Sequence, residues 1–365
     1  MTKKKLLFVG SFPVQGHNVF GGFVTDCKVL LDAGLSEIFN LKLIDSTQRS
    51  IPPPNLVRRL IDSLFRIWAY FRLLVFNPDA ILILSSSGFS FIEKSFLVVI
   101  GHFGHSRLLF FPRGGKLMDD VRQHPYFAMF ARLMLAFPHM VLCQEKTWRD
   151  FFVNEIGVPA EKCVVMKSWT ATKALLEIGA ERIYGEETPI RILFLGWLDR
   201  EKGIFDLIDA FAELYKRFSF LELNIAGEGE ASRAARLRVK EHGLFGSVKF
   251  LGWVTGEQKI NALSTATIFC LPSRFEGLPN AMIEAMAAGL PVIVTPVGAI
   301  PDVISDKKNG LITPIGDTGA LAANLKELIT NHHLREQLGR EAHQTAAREF
   351  TPEHAISHLL ELIGK

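Results

Sequence analysis

Two consecutive α/β domains, each a parallel sheet flanked by crossover helices, are what this 365-residue sequence predicts. Three observations predict it. Short apolar runs that read as strands alternate with helical stretches along the whole chain. The length is about twice the usual allowance of roughly 150 residues per domain. Near the middle, residues 171–189 interrupt the alternation with small and charged residues and read as a linker.

Taken in order, the chain opens with Lys3, Lys4 and Lys5 ahead of an apolar run, which mimics a signal peptide. The run breaks at Gly10 and Ser11, too early for a signal-peptide core. It reads better as a first buried strand, residues 6–9, followed by a loop containing His17, Gly21 and Gly22. Strands are then expected at 80–84, 107–111, 140–143 and 164–166, and after the linker at 190–195, 221–226, 248–251, 268–271 and 291–295. A last helix, about 351–363, follows the break at Phe350, Thr351 and Pro352. Cys27, Cys143, Cys163 and Cys270 form no Cys-x-x-Cys pair and mostly sit in apolar stretches, as core thiols in a reducing compartment do.

Charge is unevenly divided. Residues 1–180 hold 21 Lys or Arg against 14 Asp or Glu, a net of +7, while the rest hold 20 against 24, a net of −4. A basic first half suggests an anionic partner there. Residues 56–76 sharpen this, with Arg58, Arg59, Arg66 and Arg72 set among Leu64, Phe65, Trp68, Tyr70 and Phe71. Four arginines and Asp62 argue against a membrane span. Two readings stand side by side: a helix lying in an anionic lipid interface, or an amphipathic helix packed on its sheet. The aromatic stretch 127–137, with Met129, Met134 and Arg132, either extends the same surface or belongs to the core.

The most informative segment is RFEGLPNAMIEAMAAGLPVIVT, residues 274–295. The apolar run 268–271 before it reads as a buried strand. Pro279 suits the first position of a helix, where its missing N–H is no loss. Residues 281–288 are nearly all good helix formers, Gly289 stops the helix, and Pro291 prevents its restart. Glu276 therefore falls in the strand-to-helix loop and Glu284 inside the helix. Between them lies a helix N-terminus, a natural seat for phosphate. Two carboxylates flanking a phosphate seat suit hydroxyls on either side, a sugar at one end and a ribose at the other. A lone Glu-x7-Glu pair is ordinarily two solvated surface residues. The strand, turn, helix, glycine stop and second strand around this pair argue otherwise.

This segment resembles the signature of the family 4 retaining glycosyltransferases (glycosyl transferases group 1), which have the GT-B fold. Further matches follow in order: ILFLGWLDREKG at 192–203, LNIAGEG at 223–229, VKFLGWV at 248–254, TPVGAIPDVI at 295–304 and NGLI at 309–312. The likeness is strong over 190–315. It is looser over the first half, where it rests on Gly21 and Gly22, on NPD at 77–79 and on FPRGG at 111–115.

The resemblance implies two Rossmann-like domains facing across a cleft: an acceptor-binding domain, 1–180, and a nucleotide-sugar-binding domain, 181–347. A C-terminal helix, 348–365, would cross back onto the first domain. It also implies a role for each matching residue. Lys202 grips the donor diphosphate as charge grows on it during bond breaking. Glu276 meets the donor sugar and Glu284 the ribose. Gly277, Leu278, Pro279 and Asn280 contact sugar and phosphates, Gly196 and Gly227 line the phosphate loops, and Trp253 lies by the base. Where the family's phosphate-binding arginine usually stands, this sequence has Trp197, which cannot make a guanidinium's forked bonds. Arg200 or Arg274 would have to supply that second charge. In the first domain, Arg113 ends a strand and would bind acceptor phosphate or the leaving group; Gly21 and Gly22 form the glycine loop, with His17 a weaker candidate. Lys167, Ser168 and Trp169 depart from the family's usual Asn-Gly.

The expected activity is a metal-independent, retaining hexosyl transfer from a nucleotide sugar to a hydroxyl of a glycan or lipid-linked acceptor. The setting would be bacterial surface polysaccharide synthesis, in the cytoplasm or peripherally on the cytoplasmic face of the inner membrane. No cofactor and no nucleic acid partner are expected. No Asp-x-Asp loop follows a strand, and His102 and His105, three apart in a loop, make a poor metal pair. Alternatives are a sugar-nucleotide epimerase or hydrolase of the same fold, or a catalytically silent glycan-binding member. A nicotinamide oxidoreductase is disfavoured, because no Gly-x-Gly-x-x-Gly follows the first strand.

Overall fold

The computed structural model describes residues 3–12, 21–48, 54–185 and 188–364. Its chain divides into two units, Met1–Trp169 with Pro352–Lys365, and Thr170–Thr351. The division falls after Trp169 rather than at 180, because helix Lys173–Ala180 packs into the second unit. Its Gly179 lies so near the helix Asn280–Ala287 that a Cβ there would sit 2.2 Å from the Ala287 carbonyl oxygen. At the other end, the Ala171 amide donates to the Phe350 carbonyl (3.0 Å), which keeps the chain with the second unit up to Thr351.

The first unit is built on strands β1 (Lys5–Gly10), β2 (Asn40–Asp45), β3 (Ala80–Ser85), β4 (Arg107–Pro112), β5 (Met140–Cys143) and β6 (Cys163–Val165), in the order β2-β1-β3-β4-β5-β6. Every pairing is parallel. The inner strands are apolar on both faces because helices cover both. Helix Pro352–Gly364 joins this unit: Ala355, Ile356, Leu359, Leu362 and Ile363 enter the core with Leu6, Phe8, Leu82 and Trp169. Strand β2, which the sequence pattern does not announce, is an edge strand with Ile44 as its buried residue; its NLKLID reads as half polar.

The second unit repeats the plan with β7 (Ile190–Leu195), β8 (Leu221–Ala226), β9 (Val248–Gly252), β10 (Ile268–Leu271), β11 (Val292–Val294) and β12 (Leu311–Ile312). The order β12-β11-β10-β7-β8-β9 is again parallel throughout. Two residues of β12 are too few to carry a pattern of their own.

Helix Leu56–Leu74 is turned inside out relative to an ordinary packing helix. Its buried residues are Asp62, Ser63 and Tyr70, while Leu64 (66%), Phe65 (67%) and Trp68 (59%) are exposed, as are Val57, Leu60 and Phe71. The polar side carries two ion pairs, one within the helix and one to its neighbour. Arg58 meets Asp62, and Arg66 bonds Glu93 of helix Phe89–His102, whose other oxygen takes Lys94 at 3.2 Å. Burial alone would push the Glu93 carboxyl up, but Lys94 and Arg66 outweigh it and hold it below the usual carboxylate range. Arg59 lies over the Phe89 ring and Arg72 over Trp68. Arg59 and Arg66 thus tie this helix to its neighbour, and the apolar side faces outward. No described helix is long and apolar enough to cross a membrane. In the 127–137 stretch Phe127 and Phe130 pack on Phe91, while Met129 and Leu133 are exposed.

Candidate active site

In a parallel sheet all strands end at one edge, and ligands bind beyond the carboxyl ends. In the second unit that edge gathers Gly196 after β7, Gly227 after β8, Trp253 after β9 and the 272–280 loop after β10. The loops are laced together. The Gly196 amide donates to Ala226 O (3.0 Å) and the Gly227 amide to Gly252 O (2.7 Å). Gly227 has φ 146°, and a Cβ there would lie 1.8 Å from Gly196 O, so no larger residue fits without moving the loop. Trp197, standing in place of the expected arginine, packs its ring on Trp253 with centroids 4.7 Å apart and planes inclined by 55°. The position contributes an aromatic pair in place of a positive charge.

Lys202 closes a short 3-10 turn, Arg200–Lys202, whose cap is the Asp199 carboxylate accepting from the Lys202 amide (2.9 Å). The turn is tied to the glutamate loop by the Arg274 amide, which donates to Glu201 O (2.6 Å). That loop is pinned from behind: Thr295 Oγ1 donates to Ser273 O, and the Ala299 amide donates to Gly277 O (2.8 Å). Gly298, at φ 57°, allows this approach; a Cβ would be 2.3 Å from Glu276 O. The result brings Lys202 Nζ within 2.7 Å of Glu276 Oε1, the same oxygen that accepts from Ser273 Oγ (2.8 Å). Glu276 Oε2 has no hydrogen-bond partner among the described residues.

The helix after the loop is Asn280–Ala287. Pro279 caps it from just outside rather than opening it, its carbonyl accepting from the amides of Met282 and Ile283. Gly277 and Leu278 are buried and Asn280 is half-buried. Glu284 is only 3% exposed. Its Oε1 is 2.5 Å from Lys259 Nζ, a lysine of helix Gly256–Thr265 that the motifs did not single out. Its placement in the first turn of the helix following Trp253 is the signal that could have found it.

The two arginines proposed to replace the missing charge have other partners. Arg200 is exposed, its guanidinium 5.7 Å from the Phe205 ring centroid, and Arg274 pairs with Asp206 Oδ2 at 2.6 Å. Lys202 alone of the three sits on Glu276.

In the first unit, Arg113 departs from the expectation of a ligand-facing cation. It is buried, its Nη1 3.3 Å from Asp26 Oδ2 and its Nη2 donating to Ser168 Oγ (3.3 Å), with the guanidinium 4.6 Å from the Trp169 ring. Burial disfavours its charge and Asp26 opposes that. Trp169 is fully buried and donates Nε1–H to Asp26 O (2.8 Å), so this departure from the family motif is core packing. Gly21 precedes helix Gly22–Asp32 and accepts from the Thr25 amide (3.1 Å). His17 lies outside the described residues. Burial pushes the Cys27 thiol up to about 12, as befits a core residue. His102 Nδ1 is 2.7 Å from Phe137 O.

Residues 181–345 match the family model described as glycosyl transferases group 1. The chain is 36% identical over 148 residues to the phosphatidyl-myo-inositol mannosyltransferase of Mycobacterium leprae, covering 40% of this chain and 39% of that protein. It is 29% identical over 246 residues to the amylovoran biosynthesis glycosyltransferase AmsK of Erwinia amylovora, covering 66% and 58%. The lipopolysaccharide core biosynthesis glycosyltransferase LpsE of Rhizobium meliloti is 25% identical over 212 residues, covering 58% and 60%. The chain thus spans between 39% and 60% of the length of these relatives. Among solved structures, sucrose-phosphate synthase from Thermosynechococcus elongatus superimposes with a TM-score of 0.77 at 17% identity, covering 99% of this chain and 98% of that one. Anabaena HepE, in complex with UDP and glucose, gives 0.71 at 14% identity, covering 99% and 100%. Likeness at such identity speaks for the fold, which is the two-domain α/β GT-B fold.

Proposed function

With residues 181–345 belonging to the glycosyl transferases group 1 family and the chain in a GT-B fold, we propose that this protein transfers a sugar from a nucleotide sugar to an acceptor hydroxyl with retention of configuration. The observation that carries the reading is the meeting of Lys202 and Glu276 at 2.7 Å beside a helix N-terminus, with Glu284 within the same helix. Lys202 then stabilises the diphosphate as it leaves, Glu276 fixes the transferred sugar, and Glu284 holds the ribose. A lysine and a helix end together meet a diphosphate's charge without a divalent ion. HepE holds UDP and glucose, which makes a uridine donor the first to test.

The acceptor is a glycan or lipid-linked intermediate of bacterial surface polysaccharide, as the names of AmsK and LpsE suggest. The test is to screen UDP-, GDP- and ADP-sugars for binding by thermal shift, then follow transfer and read the product's anomeric configuration by NMR. Transfer that proceeds unchanged in EDTA is expected. Activity lost to EDTA and restored by magnesium would overturn the metal-independent mechanism, and an inverted product the retaining one.

The first unit works at an anionic lipid surface, with the outward apolar side of helix Leu56–Leu74 as its contact and Arg59 and Arg72 as flanking charge. The protein is expected to co-sediment with vesicles containing anionic lipid and to be released as salt rises. Because Arg58 and Arg66 partner buried carboxylates, the informative variant changes the apolar side instead. Leu64→Ser, Phe65→Ser and Trp68→Ser together should cut binding about tenfold or more, with an unchanged melting temperature. Wild-type protein that ignores such vesicles at low salt would sink the idea.

A further inference from the structure

We propose that Lys259 is a positioning residue of the donor site: it fastens one oxygen of Glu284 so that the other is held ready for the ribose hydroxyls of a nucleoside diphosphate. The proposal rests on the reading that Glu284 meets the ribose. Its ground is a geometry that occurs twice. Glu276 has Oε1 fastened by Lys202 at 2.7 Å, and Glu284 has Oε1 fastened by Lys259 at 2.5 Å. In both, Oε2 has no hydrogen-bond partner among the described residues.

The two lysines reach their glutamates from different elements. Lys202 comes from the turn after β7, Lys259 from the helix that follows β9 and Trp253. A surface ion pair would be weak and mobile, but here Glu284 is 3% exposed and the lysine side chain only 20%. Shielding from bulk water strengthens such a pair and fixes both side chains. That matters because a free glutamate side chain must be ordered when it binds, and ordering it beforehand removes this loss from the binding step. A carboxylate held at one oxygen also presents a single orientation of the other. Lys259 thereby acts through Glu284 and need not touch the ligand.

The test measures dissociation constants by calorimetry for UDP, GDP and ADP, then for the 2′-deoxy form of whichever binds tightest. Wild-type protein should lose about tenfold or more in affinity when the 2′-hydroxyl is removed, as for a hydrogen bond to a charged group. Lys259→Met keeps the stem and deletes the ammonium. It should weaken the ribonucleotide by about tenfold and shrink the 2′-deoxy penalty below about threefold, with KM raised and kcat little changed. A merely structural ion pair would leave that penalty as it is in wild type. An unchanged penalty in Lys259→Met therefore overturns the proposal. Should that variant not fold, Lys259→Gln carries the same comparison, with the same two outcomes. If wild-type protein binds none of the three diphosphates, the nucleotide-sugar reading itself fails, and Lys259 with it.

Discussion

Replacing Lys202 with alanine is expected to slow transfer about 100- to 1000-fold, the usual loss when one preorganised donor to developing charge is removed. The bond to the sugar breaks with electron density flowing to the diphosphate, so the lysine's attraction is greater in the transition state than in the ground state. Nucleotide affinity should therefore fall less than kcat does. Glu276 keeps its bond from Ser273 in the variant, so the loop remains anchored by Ser273, Thr295 and Ala299. Steady-state kinetics with the cognate donor, alongside calorimetry with its nucleoside diphosphate, separates the two effects. An unchanged kcat, or a loss confined to binding, would remove Lys202 from the chemistry.

Arg113→Met is expected to act through stability. The arginine and Asp26 side chains are each 3% exposed, and deleting the cation leaves its carboxylate partner buried without it. Breaking such a pair typically costs about 3–5 kcal/mol. For a unit of this size that corresponds to a fall in melting temperature of roughly 6–20 °C. Adding Asp26→Leu to Arg113→Met should recover part of the loss, because an apolar pair replaces the buried carboxylate that faced the cation. Differential scanning calorimetry of the single and double variants checks this. If Arg113→Met melts as wild type and yet cannot transfer sugar, the arginine serves a ligand and the buried pair is incidental.

The strands were legible wherever burial on both faces produced a continuous apolar run. β3, β4, β7, β8 and β10 lie within a residue of where the pattern puts them. Edge strand β2 was not, since a strand half open to water needs no such run and NLKLID reads like a loop. The helix Asn280–Ala287 was legible from its composition and glycine stop, although Pro279 proved to be its cap rather than its first residue. Helix Leu56–Leu74 shows a different limit. Its composition announced an amphipathic helix, but which side faced inward depended on Glu93 and Lys94 on another helix.

The sequence by itself determined the two parallel sheets, the turn that carries Lys202 and the loop and helix that carry Glu276 and Glu284. These are local matters, set by apolar runs, turn residues and helix stops within a few positions of each other. Only the tertiary structure decided the partners. It joined Lys202 to Glu276 across 74 positions and Lys259 to Glu284 across 25, and it closed Arg113 onto Asp26 across 87. Charge has no periodicity that marks its mate. A lysine in a surface turn and one beside a buried carboxylate look the same in a chain, and differ only once parallel strands deliver their loops to a common edge.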